Sequence, residues 1–313
     1  MAMPSSSTVI GVDVAKAELV IYRQDLDQLK THANDKAGCA QLLKTLPPRC
    51  LIAIEATSTY HLLLIEMAYR QGHRVYVIDG YRLTHYRKGI GGRAKTDACD
   101  ARLLARYLAS EIDSLRPWNP PSKAYTSLQR LLRRRALLVK TRTALKQSVG
   151  EDPQFKSLFK PLIERIKRIE LLIEKRLHDT LKAAGLLEQA QRCRGVEGIG
   201  GLTAAALTMA FERGAFQSAD AFIAFLGLDV RAKDSGTFTG RRKLTKQGDP
   251  EIRRLLHNAA LAAARKGHWK QLYEQYQARG LRKTQALVIL ARKLARIAFA
   301  LMKKREDYIP RTA

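Results

Sequence analysis

The chain is short of acid. Its 29 Asp and Glu residues face 56 Lys and Arg, leaving a formal charge of +27 over 313 residues. Such an excess reads first as a surface for nucleic acid, through phosphate contacts and counterion release. Long apolar runs are missing as well. None approaches the roughly 20 residues that span a bilayer, so an anionic membrane is the weaker partner. The opening Met1-Ala2-Met3-Pro4-Ser5-Ser6-Ser7 has neither the basic nor the apolar region of a secretory signal, which points to the cytoplasm. Cysteine is scarce and scattered: Cys39, Cys50, Cys99 and Cys193 form no Cys-x-x-Cys pair and have no His cluster nearby. That excludes a disulfide framework and leaves a structural zinc site with little support. Cys99 lies between two aspartates, but nothing identifies a base for it, and it reads as a small helical filler.

A hydrophobic content of 46% is enough to build a core. Residues 8–115 read as α/β, with strands at Val9–Asp13, Leu19–Tyr22, Leu51–Glu55 and Arg74–Ile78. Helices are expected over Lys36–Thr45, stopped by Pro47-Pro48, and over Tyr60–Gln71, ended by Gly72. Gly89-Ile90-Gly91-Gly92-Arg93 is a connection without the spacing or terminal residues of a phosphate-binding P-loop. Pro117, Pro120 and Pro121 mark a boundary. Beyond it, Leu128, Leu131, Leu132, Leu138, Val139 and Leu145 lie close to a heptad stripe, and a second helix runs through Leu162, Ile166, Ile169, Leu172, Ile173 and Leu177. The pair reads either as two core helices of a bundle or as a dimerising coiled-coil arm. The division expected is 1–115, 116–185 and a mainly helical 186–313.

Against so basic a background four acids stand out. Asp13 and Glu55 each end an apolar run, and Asp97 and Asp100 sit three apart at the start of a helical pattern. Each taken singly reads as a turn residue or a cap. Together, two strand-end acids and an i, i+3 pair on one helix face are what a two-metal nuclease needs. There, carboxylates hold Mg²⁺ ions about 4 Å apart on the attacking and leaving oxygens.

The last third adds two patterns. Gly195-Val196-Glu197-Gly198-Ile199-Gly200-Gly201, running into a Thr-Ala-rich helix, resembles a helix-hairpin-helix, whose glycines (Gly198 and Gly200 here) let backbone N–H groups approach a phosphate. A polar, basic stretch from Gly227 to Lys243 carries Ser235-Gly236 and then Arg241, Arg242 and Lys243 as candidate nucleic-acid contacts. Ser235 is a turn residue on the bland reading. On the sharper one it is a nucleophile toward phosphorus, its alkoxide stabilised by surrounding cations. Residues 252–305 carry fourteen basic residues and one acidic residue, which again suits a polyanion.

These motifs resemble the insertion-sequence-110 family of transposases, the DEDD recombinases, over nearly the whole chain. Ile10-Gly11-Val12-Asp13-Val14-Ala15-Lys16 is similar to the family's first acidic motif. Ile54-Glu55-Ala56-Thr57-Ser58-Thr59-Tyr60 is similar to the second, and Lys95-Thr96-Asp97-Ala98-Cys99-Asp100-Ala101 to the third and fourth. Two departures are Ser58, where the family commonly has Gly, and Asp229-Val230 in place of a frequent Thr-Pro. The resemblance implies an RNase-H-like, Holliday-resolvase-type N-terminal domain in which Asp13, Glu55, Asp97 and Asp100 bind Mg²⁺, two ions per site, with Mn²⁺ as a substitute. It implies a covalent phosphoserine at Ser235, a homo-oligomer (dimer or dimer of dimers) assembled through 116–185, and work on nucleoid DNA guided by a bridge RNA, with no membrane partner. The alternatives are a DNA invertase of the same family, a junction nuclease that hydrolyses with water and leaves Ser235 structural, and an architectural or RNA-binding protein whose acids are ordinary caps.

Overall fold

In this computed structural model the described residues are 8–91, 96–150, 152–232, 234–240 and 242–310. They form two compact units that meet in sequence at Pro120 and Pro121.

The first unit opens with β1 (Val9–Val14), β2 (Glu18–Arg23) and β3 (Gln28–Ala33), a meander of antiparallel strands. Helix α1 (Lys36–Lys44) then crosses to β4 (Leu51–Glu55), and α2 (Leu62–Arg70) to β5 (Arg74–Ile78), both parallel to β1. The sheet order is β3-β2-β1-β4-β5. Asp79 caps α3 (Gly80–Gly89), and Thr96 caps α4 (Asp97–Glu111), which ends in a 3-10 turn at Ile112–Ser114.

Alternation along the central strands sorts two layers. Ile10, Val12, Ile52 and Ile54 pack with Leu42, Leu43, Leu64 and Ile65 on the α1/α2 side. Val9, Leu51 and Ala53 pack with Leu104, Ala105 and Leu108 of α4 on the other. Odd-numbered residues of β1 and β4 therefore face α4, and this parity carries Asp13 and Glu55 to that side.

Gly11 is the contact point. A Cβ there would stand 1.9 Å from the Ala101 carbonyl oxygen and 2.7 Å from the Ala105 nitrogen, so the backbone of α4 rests directly on β1. Ser58 follows β4 with φ 48°, a left-handed conformation that glycine adopts without strain.

The second unit is built on α5 (Lys123–Val149) and α6 (Pro153–Ala183), 27 and 31 residues long, about 40 and 46 Å at the helical rise. Register between them is set by ion pairs: Arg142 donates to both oxygens of buried Glu170 at 2.7 and 3.2 Å, and Arg135 pairs with Glu174 at 2.7 Å. At the base of the hairpin Leu128, Leu132, Leu177 and Leu181 join one core with the helices that follow. These are α7 (Leu187–Arg194), α8 (Gly201–Glu212) and α9 (Ala219–Phe225). Four two-residue strands come next: β6 (Val230–Arg231), β7 (Asp234–Ser235), β8 (Phe238–Thr239) and β9 (Lys243–Leu244). The chain closes with α10 (Pro250–Ala263), α11 (Gly267–Ala278) and α12 (Lys283–Lys304). Among the described residues no helix is long and apolar enough to cross a membrane.

Three local expectations need correction. Strand β3 and helix α3 were not foreseen, because each buries too little to leave a periodic signal; Leu83 is the buried residue of α3. The stretch from Gly227 to Lys243, read as a polar loop, forms two small antiparallel ladders, β6–β9 and β7–β8. Cys99, read as a filler, is exposed on the outer side of the first turn of α4.

Replacing Gly11 by Ala is expected to cost about 3 kcal/mol, since backbone rather than a flexible side chain must move. Gly89→Ala, whose Cβ would meet nothing within 4 Å, serves as the control and changes stability by less than about 1 kcal/mol. Urea unfolding of the two variants checks the difference.

Candidate active site

Parity and parallel register bring Asp13 and Glu55 together. Val12 pairs with Ile54, so the next residue of each strand lies at the same edge of the sheet and on the α4 side. Asp13 is not a turn residue; it pairs within β1–β2 with Val20. Glu55 is the last residue of β4, and α3 begins over it: a Cβ on Gly80 would stand 2.5 Å from its Oε1.

The other two acids come from α4, held over this edge by the Gly11 contact. Asp97 is not the cap. That task falls to Thr96, whose hydroxyl accepts from the Cys99 N–H at 3.2 Å, leaving Asp97 exposed in the first helical turn. Asp100, further along, is buried, and its carboxylate Oδ1 accepts a hydrogen bond from Arg87 of α3. Both acids lie in the first turn of α4, at the positive end of its dipole.

The electrostatics register this convergence. The Asp13 pKa is raised to about 6, first by burial and then by the charges of Asp97, Asp100 and Glu55. Three acids, from β4 and α4, thus act on one carboxyl group of β1. Among the described residues, no three His, Cys, Asp or Glu side chains are close enough to enclose an ion as they stand. The donor set still suits a hard divalent cation, since all four are carboxylates and their mutual repulsion is what such a charge would relieve.

Ser235 belongs to the second unit and is built separately. It is exposed, the last residue of β7, and followed by Gly236 at φ 53° in the β7–β8 turn. Asp234 accepts from Arg242 at 2.6 Å and from the Gly240 N–H at 3.2 Å, and the Arg242 hydrogen bond holds its carboxyl below the usual range. The base of this arm is latched where the sequence departs from the family pattern. Asp229 accepts from the Thr245 hydroxyl, and its carbonyl accepts from the Thr245 N–H at 3.0 Å. Lys243 is exposed on β9; Arg241, the remaining candidate of this cluster, lies outside the described residues, as does Lys95.

The two candidate glycines differ. Gly198, at φ 86°, presses on α10, where a Cβ would stand 2.3 Å from the Ala259 carbonyl oxygen. Its missing side chain serves helix packing. Gly200, ahead of α8, has open space where a Cβ would project and borders a cleft of about 590 Å³ together with Arg194, His178 and Asn258. Arg87 is the residue of the acidic site that the sequence reading passed over. A cap at Asp79 followed by a helical stretch ending at Gly89 was the signal that would have found it.

A family model described as a transposase, the DEDD type named for IS110, matches residues 10–151. A second, described as transposase of the IS116/IS110/IS902 family, matches residues 190–277. The chain is similar to a pilin gene-inverting protein of Moraxella bovis, 27% identical over 320 residues that cover 97% of this chain and 98% of the relative. The Moraxella lacunata protein of the same name is 26% identical over the same shares. A protein of Pseudomonas aeruginosa named "Probable family 20 transposase" is 27% identical over 96% of this chain and 98% of its own length.

Because Asp13 holds its proton more tightly folded than unfolded, its ionisation works against folding. Stability of the metal-free protein should fall as pH rises from about 4 to about 6 and stay level above that. At a half-buried group solvent screening reduces the effect to roughly 1 kcal/mol, and Asp13→Asn should abolish it. Thermal unfolding in a chelator across this pH range measures the difference between wild type and variant.

Proposed function

We propose that this chain, which belongs to the IS110 family of transposases and is a DNA recombination enzyme, cleaves and exchanges DNA strands site-specifically, with acids on one unit and a serine nucleophile on the other. The observation that carries this reading is the placement of Asp13 and Glu55 at one edge of the sheet, on the side of α4, whose first turn carries Asp97 and Asp100. The strand order β3-β2-β1-β4-β5, with acids on β1, β4 and a following helix, supports an RNase-H-like, Holliday-resolvase-type domain.

The family's DEDD site implies a divalent metal. In our reading these four carboxylates hold two Mg²⁺ ions, replaceable by Mn²⁺, which when bound supply Lewis-acid charge to phosphoryl oxygens. Ser235 performs the covalent step. Its Oγ gives up its proton to water and forms a bond to the phosphorus of a DNA strand. The bond from phosphorus to the leaving sugar oxygen breaks, and that oxygen departs as a hydroxyl. One ester replaces another, so the reverse attack by a second strand's hydroxyl rejoins DNA without an added energy source. Exposure of Ser235 at a turn suits access by a backbone, and Arg242 with Lys243 supplies the positive surroundings a phosphate needs.

The basic surface of the second unit is read as the binding face for donor and target DNA and for a bridge RNA, whose base pairing would select sequence. The edge of the Gly200 cleft, at the start of α8, is one phosphate contact in this reading. Assembly is assigned to 116–185. Phe155, Leu158, Leu162, Ile169 and Leu172 form an exposed apolar stripe at heptad spacing along α6, and Leu158 is 71% exposed. A second copy of this hairpin is the partner such a stripe fits. The full-length similarity to two pilin gene-inverting proteins favours one variant reading, a DNA invertase with the same chemistry, separated from a transposase by its flanking DNA. Its workplace is the nucleoid.

With RNA from the flanking region, end-labelled donor DNA and Mg²⁺, wild type should give a protein–DNA adduct on a denaturing gel. Ser235→Ala should lose it and slow cleavage at least about a thousandfold. Cleavage undiminished in that variant would make the enzyme a water-using nuclease. Leu158→Glu combined with Leu172→Glu should shift the protein to monomer in sedimentation with its circular dichroism unchanged. An unaltered oligomer would remove the hairpin from assembly.

A further inference from the structure

Arg87 lies at the acidic site, and neither composition nor motif drew attention to it. Its guanidinium donates to Oδ1 of Asp100, with the two side chains only 15% and 8% exposed. This is no solvent-washed surface pair of the kind that contributes little.

Its place is fixed by the helix that carries it. Leu83 is buried in the core shared with Leu103, Leu104 and Tyr107 of α4. The Tyr86 ring stands edge-on to Tyr107 at 4.8 Å between centroids, and its hydroxyl lies 3.0 Å from that of Ser110. These contacts dock α3 against α4, and the next residue along, Arg87, reaches the first turn of α4. Its charge at the C-terminal turn of α3 also suits that helix's dipole.

The bond itself differs from the structural arginine pair elsewhere in the chain. Arg142 grips Glu170 with two nitrogens on two oxygens, the fork geometry of a permanent brace. Arg87 engages one oxygen of Asp100. A single charge-assisted bond to a carboxylate whose charge, with those of Asp97 and Glu55, acts on Asp13 is one that a doubly charged ion can displace, because the ion attracts these acids together.

We propose that Arg87 is a displaceable counter-ion of the acidic site. It neutralises Asp100 while the site holds no divalent cation, yields the carboxylate when one binds, and then grips a phosphate oxygen of the DNA strand. The inference rests on the reading of the four carboxylates as a metal site. Arginine suits the second task because its guanidinium stays charged through the exchange and matches phosphate geometry.

The test titrates Mn²⁺ into full-length protein without DNA, read by calorimetry, for wild type, Arg87→Gln, Arg87→Lys and Asp97→Asn. Arg87→Gln should bind the ion about ten- to a hundredfold more tightly, the range covered by one charge-assisted hydrogen bond. Arg87→Lys, which keeps the charge on a poorer partner, should fall between it and wild type, and it carries the test if the Gln variant does not fold. At saturating Mn²⁺, Arg87→Gln should weaken DNA binding and lower the salt slope by about one counterion. Equal or weaker Mn²⁺ binding by the Arg87 variants, with binding lost in Asp97→Asn, would overturn the counter-ion role alone and make Arg87 a fixed brace. No Mn²⁺ binding by wild type would bring down the metal reading and Arg87's role with it.

Discussion

The acidic site depends on the close approach of α4 to β1 at Gly11. Any side chain at that position would lift the helix off the sheet. With the helix in place, its first turn, which carries Asp97 and Asp100, is held on the side of the sheet that Asp13 and Glu55 face. Asp13 is pushed up to about 6, first by burial and then by the charges of Asp97, Asp100 and Glu55. The fold tolerates it because the surrounding layers are dense and apolar. Ile10, Ile54 and Leu104 are fully buried around the same strand ends.

The second unit solves a different problem. It sets an exposed two-ladder arm that carries Ser235 beside a bundle of long helices. Long helices α5 and α6 are registered by inter-helix ion pairs and anchored at one end, while the apolar stripe further along α6 is left uncovered in the single chain. The serine arm is minimal, two ladders of two pairs each, and is held at its root by the Asp229–Thr245 latch. A short arm with an exposed turn has few buried contacts, so it can be reshaped by what it meets at modest cost. The acidic site and the serine arm thus sit at opposite extremes of packing, one overdetermined and one lightly held.

Much of this was legible in the chain. Apolar runs gave β1, β4 and β5 within a residue, and caps or breakers gave α1, α4 and the start of α5. Asp13 and Glu55 were recognisable because each ends an apolar run, and Asp97 with Asp100 because they open a helical pattern three apart, both local patterns. What escaped notice was marginal by local measures. Strand β3, Gln-Leu-Lys-Thr-His-Ala, has no buried residue and exists because β2 offers it a ladder. Helix α3 was invisible for the same reason: its place depends on the docking of Leu83 and Tyr86 on α4, residues well downstream. Gly198 was singled out for close approach to a phosphate; its φ is 86° and its close neighbour in the fold is α10.

By itself, then, the sequence determined which acids end or open which elements, where the basic residues and leucine stripes run, and that Ser235 lies beside a turn. Those are consequences of nearest neighbours and of the 2.0 and 3.6 residue periods. Only the tertiary structure decided that Asp13 would feel three other charges, that Arg87 would reach Asp100, and which face of α6 would stay uncovered. Each depends on elements far apart in the chain meeting at ångström distances, and no local propensity encodes a distance between them.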